Sequence, residues 1–229
     1  MAAGLGWGPI AALIGAVVAA VTLLAELGLP AALVSLGAVG IPAFVLSDLG
    51  GRPRASAEGR DAWFPVGRIA TVGAVAMAIA TALGAIAIGF DVAATTRQGV
   101  AAFHDALTSG GTPPDELPDA IALEPFVRAS VKLMPAFFPA FWTLVLMLDL
   151  VLAARIVRRA GRLRRPWEDA AMIEVSPWTG LVFAGGFAGA FLPGTLGILS
   201  GIAAGAAFAP LVLVGVGRLT HLPRPTAMR

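Results

Sequence analysis

The sequence predicts an all-α bundle, a polytopic membrane protein of about six transmembrane helices in a single domain over residues 1–229. Hydrophobic residues make up 58% of the chain and charged residues only 13%, against about 45–50% and about 25% in a typical soluble domain. Apolar runs near the ~20 residues that cross a hydrocarbon layer recur along it. The arginines collect in alternate connections between those runs, the pattern left by basic loops held in the cytoplasm.

The first run covers residues 9–27 and breaks at Gly28-Leu29-Pro30, and the second covers 31–46, so the two predict a tight helical hairpin. Residues 48–61 hold Gly50-Gly51, Pro53 and three arginines and read as a loop. The third run, 69–90, contains no charge. Residues 91–117 are mixed, and Gly110-Gly111-Thr112-Pro113-Pro114 is a strong loop signal. Within them Val100, Phe103 and Leu107 recur at helical spacing, which predicts a short amphipathic helix lying on the membrane surface. Residues 123–132 predict a second such piece leading into the fourth run, 133–154. Pro135 and Pro139 fall in the first turns of that run, where proline is tolerated. Residues 155–174 form the most charged loop. The fifth run, 178–192, is short, and Pro193-Gly194 turns the chain into the sixth, 195–216. A re-entrant hairpin is the alternative for this last pair.

Orientation follows from the basic residues. Arg52, Arg54, Arg60 and Arg68 follow the second run. Arg155, Arg158, Arg159, Arg162, Arg164 and Arg165 follow the fourth, and Arg218, Arg224 and Arg229 lie in the tail. Six spans place all of these on one side and leave Arg97, Arg128 and Lys132 on the other, with Asp91, Asp105, Asp115, Glu116, Asp119 and Glu124. The asymmetry predicts cytoplasmic termini in a bacterial inner membrane, with the long segment after the third run outside. No basic residue precedes Arg52, so the first run lacks the charged start of a signal peptide and is expected to stay in the mature protein. Trp7, Trp63, Trp167 and Trp178 fall at run ends, as an interfacial aromatic belt requires.

Composition and motifs exclude several classes of chemistry. Without cysteine there are no disulfides or thiolate sites, and the two histidines, His104 and His221, stand too far apart in sequence to suggest a metal centre. No cofactor is expected. There is no Walker-type phosphate loop, no His-Glu-x-x-His and no Gly-x-Ser-x-Gly, so no enzyme is expected and any transport needs an outside energy source. The basic run 155–165 lacks interleaved aromatics, which argues for an anchor at anionic headgroups over a nucleic-acid surface.

Glu26, Trp142 and Asp149 are the candidate ligand-binding residues. Asp149 lies inside the fourth run, where an ionised group usually faces protein or water; pairing with an arginine near 153–155 is the structural alternative. Glu26 ends the first run at the expected interface. Trp142 sits in a run with Phe137, Phe138 and Phe141, an aromatic group able to line a pocket for a flat ligand. Gly197, Gly201 and Gly205 recur every four residues in the sixth run, as Gly185 and Gly189 do in the fifth and Ala12, Ala16 and Ala20 in the first. Such stripes let helices pack closely in lipid or dock a partner.

Three segments together carry a resemblance. They are Gly-Leu-Gly-Trp-Gly-Pro-Ile-Ala-Ala at 4–12, Trp-Phe-Pro-Val-Gly-Arg at 63–68 and Arg-Arg-Ala-Gly-Arg-Leu-Arg-Arg-Pro-Trp-Glu-Asp at 158–169. With them the chain resembles the YybS-like family of uncharacterised bacterial multi-spanning membrane proteins. That family is distantly similar to the substrate-binding subunits of energy-coupling-factor vitamin transporters. Its members usually have a further helix before the Gly-Trp-Gly-Pro segment and more apolar chain after the sixth span, and this sequence departs from them in both. The resemblance implies six helices that take a small molecule from outside and dock on an energising transport module, with the stripe of Ala12, Ala16 and Ala20 as docking face. The expected function is a small-molecule-binding transport component, its ligand entering between the first, fourth and sixth spans. The alternative is a non-transporting scaffold or assembly factor built on the Gly197, Gly201, Gly205 stripe, and an enzyme acting on lipid ranks last. The expected partners are the lipid bilayer and another membrane protein.

Overall fold

The computed structural model describes residues 1–55, 61–111, 119–163, 165–166 and 173–219, of which 54, 55, 61, 62 and 120 are described in their backbone alone. Trp167, His221, Asp115, Glu116, Arg60, Arg164, Arg224 and Arg229 lie outside the described residues. The chain is an all-α polytopic bundle. Its helices are α1 (Ala2–Trp7), α2 (Pro9–Leu27), α3 (Leu29–Ser35), α4 (Ile41–Gly51), α5 (Val66–Ala87), α6 (Val92–Ser109), α7 (Ala120–Arg159), α8 (Pro177–Gly189) and α9 (Gly194–Leu219). A π-helical turn, Leu36–Gly40, joins α3 to α4 in one continuous rod. Two three-residue strands, β1 (Pro53–Ala55) and β2 (Asp61–Trp63), pair antiparallel between α4 and α5.

Among the described residues, five helices are long and apolar enough to cross a membrane: Pro9–Leu27, Leu29–Gly51, Val66–Ala87, Ile121–Arg159 and Gly194–Leu219. Their outward faces are apolar, as lipid requires: Ile10, Leu13, Val17, Val21 and Leu24 along α2 are all exposed. The sixth expected crossing is different. At 1.5 Å per residue the 13 residues of α8 reach only about 20 Å. The irregular residues 173–176 before it add at most about 14 Å. This stretch starts beside α5, where the Glu174 carbonyl lies against Gly67, and α8 by itself falls short of a bilayer's ~30 Å.

Glycine and proline set the ends of these rods. Gly8 and Gly28 hold φ of +94° and +83° at the starts of α2 and α3, conformations that suit glycine, and proline follows each within the first helical turn. α7 differs from its expected form. It is one helix of 40 residues, about 60 Å long, that includes residues 123–132. Pro135 and Pro139 therefore lie deep inside it and remove the amide partners of the Val131 and Pro135 carbonyls. α6 does not lie flat as an isolated surface helix. It packs antiparallel on the first turns of α7, with Gly99 against Val127 and Thr96 buried. The two make a helical hairpin continuous with the bundle.

Two kinds of packing hold the bundle. At the arginine-rich end, Leu5, Leu46, Ile69, Met77, Leu146, Leu150 and Val157 from α1, α4, α5 and α7 form one buried cluster. α1 was not evident as a helix. It is held by Leu5, wedged between Gly50 and Leu150, and by Trp7, whose ring lies 4.8 Å under the Arg162 guanidinium. Elsewhere small residues let backbones touch, the main source of helix association where lipid is as apolar as the side chains. Gly205 and Gly201 of α9 meet Ala136 of α7, and Gly197 meets the carbonyls of Leu192 and Ala190 in the turn before α9. Gly186 and Gly189 of α8 meet Ser200 and Ala204 of α9. Ala12 faces Gly4, and Ala16 faces Gly40.

Candidate functional site

A cavity of about 790 Å³ opens at the end of the bundle away from the arginine cluster. Four elements wall it. α5 contributes a face repeating at three and four residues: Met77, Ala80, Thr81, Gly84, Ala85 and Ile88. α7 contributes Met134, Pro135, Phe138 and Trp142, and the second rod contributes Val34 and, from its π turn, Ala38. The turn Gly89, Phe90, Asp91 and the first helical turns of α6, with Ala94, Thr95 and Gln98, close the rim. Gly84 borders open space: a Cβ built on it meets no atom within 4 Å.

The wall is mostly apolar with a few polar groups at one side. The Thr81 hydroxyl donates to the Met77 carbonyl at 2.8 Å, so it turns only its acceptor lone pair elsewhere. Asp91 caps α6, its Oδ1 accepting from the Ala94 amide at 2.6 Å. The Thr95 hydroxyl, the Gln98 amide and the Trp142 indole N–H have no side-chain hydrogen-bond partner among the described residues. Trp142 is half-buried, edge-on to Phe141 at 5.7 Å, while Phe141 stacks on Phe137 at 5.5 Å. These ring contacts fix the indole against α7, and Phe138 lies one turn above it on the same face.

Of the three residues singled out from sequence, the structure brings only Trp142 to this cavity. Glu26 is exposed near the end of α2 and does not line it. Asp149 is exposed on α7, seven residues beyond Trp142, and none of the ion pairs among the described residues involves it. The expected pairing with an arginine near 153–155 does not form; Arg155 is itself exposed. The cavity lies between the second and third crossings, α6 and α7, whereas the first and last crossings do not wall it. Sequence reading missed Asp91, Thr95 and Gln98, which it counted as outer-loop residues. Helical spacing over 92–109 was visible, but which side faced the bundle was not.

The small-residue stripes have internal partners. Gly197, Gly201 and Gly205 are buried within the chain against α7 and the preceding turn. Ala12 is buried and Ala16 and Ala20 half-buried, Ala12 and Ala16 against α1 and the π turn. Gly185 faces open space; its neighbour Gly186 makes the contact to α9. At the arginine-rich end Arg52 sets Nε 2.6 Å from Asp48 Oδ1, one turn back, in an ion pair whose N–H is not aligned for a hydrogen bond. Comparison with protein-family models, curated proteins and solved structures finds no match to the chain.

Proposed function

We propose that this integral membrane protein binds a small molecule in the cavity between the second rod, α5, α6 and α7, and serves as the binding component of a transport system. The cavity itself carries the reading: about 790 Å³ falls within the 300–1,000 Å³ of small-molecule sites. Its make-up, an apolar wall with a few uncommitted polar groups gathered at one rim, is also that of such sites. The basic asymmetry supports an inner-membrane setting with the arginine-rich end in the cytoplasm, and the cavity then faces outward. Since the sequence carries no phosphate loop, energy for transport comes from a gradient or a separate energising module. The scaffold reading rests on the Gly197, Gly201, Gly205 stripe, and that stripe is occupied within the chain.

The test uses two forms of the purified chain in detergent. Gly84→Leu projects a side chain into open space on the cavity wall and replaces a poor helix former with a good one, so the fold is expected to hold. A ligand at a hundred times its Kd stabilises the folded state by about 2.7 kcal/mol. For a chain of this size that raises Tm by roughly 5–10 °C. A metabolite screen is expected to find compounds that shift the natural chain and leave Gly84→Leu unmoved. Shifts equal in both forms, or none across a broad panel, remove the reading.

A further inference from the structure

Taking the cavity as a ligand site, we infer that its ligand class is a monovalent organic cation with a bulky apolar body. The inference concerns the charge the site selects and rests on the reading above.

Two observations carry it. Among the described residues, Asp91 is the one charged side chain lining the cavity, and no lysine or arginine lines it. Arg97 and Lys132 are nearby in sequence, but both are exposed and neither reaches the wall. Asp91 spends Oδ1 on the α6 cap, and its negative charge remains at the rim. Next, Phe90, Phe138 and Trp142 put three aromatic rings on the wall. Ring faces attract cations, tryptophan most strongly, and repel anions.

These features discriminate between ligand classes. An anion entering here meets a carboxylate at the rim and aromatic side chains on the wall, with no lysine or arginine among the described lining residues to replace its hydration. A neutral polar molecule finds few partners over a wall that is largely apolar. A cation whose charge is screened by apolar groups loses little hydration, fills the apolar volume and meets a carboxylate at the rim and aromatic side chains on the wall.

A pair of probes with one shape and opposite charge isolates the point. Binding of tetraphenylphosphonium and of tetraphenylborate is measured by calorimetry on the full chain in neutral detergent, with Gly84→Leu as the blank for partition into detergent. The phosphonium is expected to bind the natural chain and not the blank, and the borate to match its blank. Asp91→Asn keeps an equally good helix cap and removes the charge. It is expected to weaken phosphonium binding about tenfold without lowering Tm. Equal binding of both ions, lost in Gly84→Leu, overturns the charge selection and leaves the cavity as a ligand site. Unchanged phosphonium affinity in Asp91→Asn also overturns it. Failure of both ions to distinguish the natural chain from Gly84→Leu overturns the inference and the reading beneath it together.

Discussion

Alanine at position 205 puts a methyl group where α7 has backbone. A Cβ there falls 1.8 Å from the Ala136 carbonyl oxygen and 2.6 Å from its carbon, whereas real Cβ contacts essentially never fall under 3.0 Å. The two helices must therefore part by about 1.2 Å at that point, since the obstacle is a backbone in a helix and not the end of a flexible side chain. Radial gaps of 0.5–1 Å already forfeit a quarter to a half of the dispersion well between facing atoms. Overpacking costs about 1–3 kcal/mol in general, and a rigid obstacle puts this case near 3 kcal/mol. Gly201→Ala, one turn earlier on the same stripe, is the internal control: its Cβ lies 3.9 Å from the nearest atom, an ordinary contact. Both substitutions gain the same helix propensity, about 1 kcal/mol, so it cancels between them. The expected result is that Gly205→Ala is less stable than Gly201→Ala by about 3 kcal/mol, a Tm gap of roughly 6–12 °C in detergent. Far-ultraviolet circular dichroism on heating, with titration by a denaturing detergent as a second measure, reads it. Equal stability of the two variants would refute the close approach of α7 and α9 at Gly205.

Further outcomes follow from the same geometry. Gly67→Ala is expected to destabilise to a similar degree, because its Cβ would fall 1.7 Å from the Glu174 carbonyl; an unchanged Tm would mean that the irregular chain before α8 does not lie on α5. Asp149→Leu is expected to ease insertion of the 133–154 segment, by less than the about 2.5–3.5 kcal/mol an acid costs at a helix centre because position 149 lies toward the end of the run. A glycosylation-mapping assay measures this, and equal insertion efficiency would place residue 149 outside the hydrocarbon. The chain has no cysteine, so single cysteines report sidedness cleanly. An impermeant maleimide on intact cells is expected to label Ser109→Cys and to spare Arg162→Cys, and the reverse pattern would invert the topology.

The long apolar rods were legible in the sequence because lipid demands unbroken hydrophobicity and glycine with proline cuts it off. α2 stops at Leu27 because Gly28 turns the chain and Pro30 restarts it. What depended on contacts between distant residues was hidden. α1 is six residues, too short to persist by propensity, and exists through Leu5 and Trp7. The unity of α7 was masked where its charged first turns leave the apolar stretch. A four-residue glycine repeat pointed to Gly185, yet contact with α9 runs through Gly186, since a step of one residue rotates a helix face by about 100°. At the cavity, Trp142 was visible as the aromatic inside a crossing. The rim was not, because Asp91, Thr95 and Gln98 read as outer-loop polarity until α6 is seen standing against α7.

The wide turn at Leu36–Gly40 stores one surplus residue in the middle of a crossing. Such turns are rare and recur at functional sites, and the surplus residue rotates the helix face beyond it by about 100°. Val34 lies just before it and Ala38 within it, so the surplus residue sets which side chains this wall of the chamber presents. A uniform α-helix at this place would turn a different set of side chains toward the chamber.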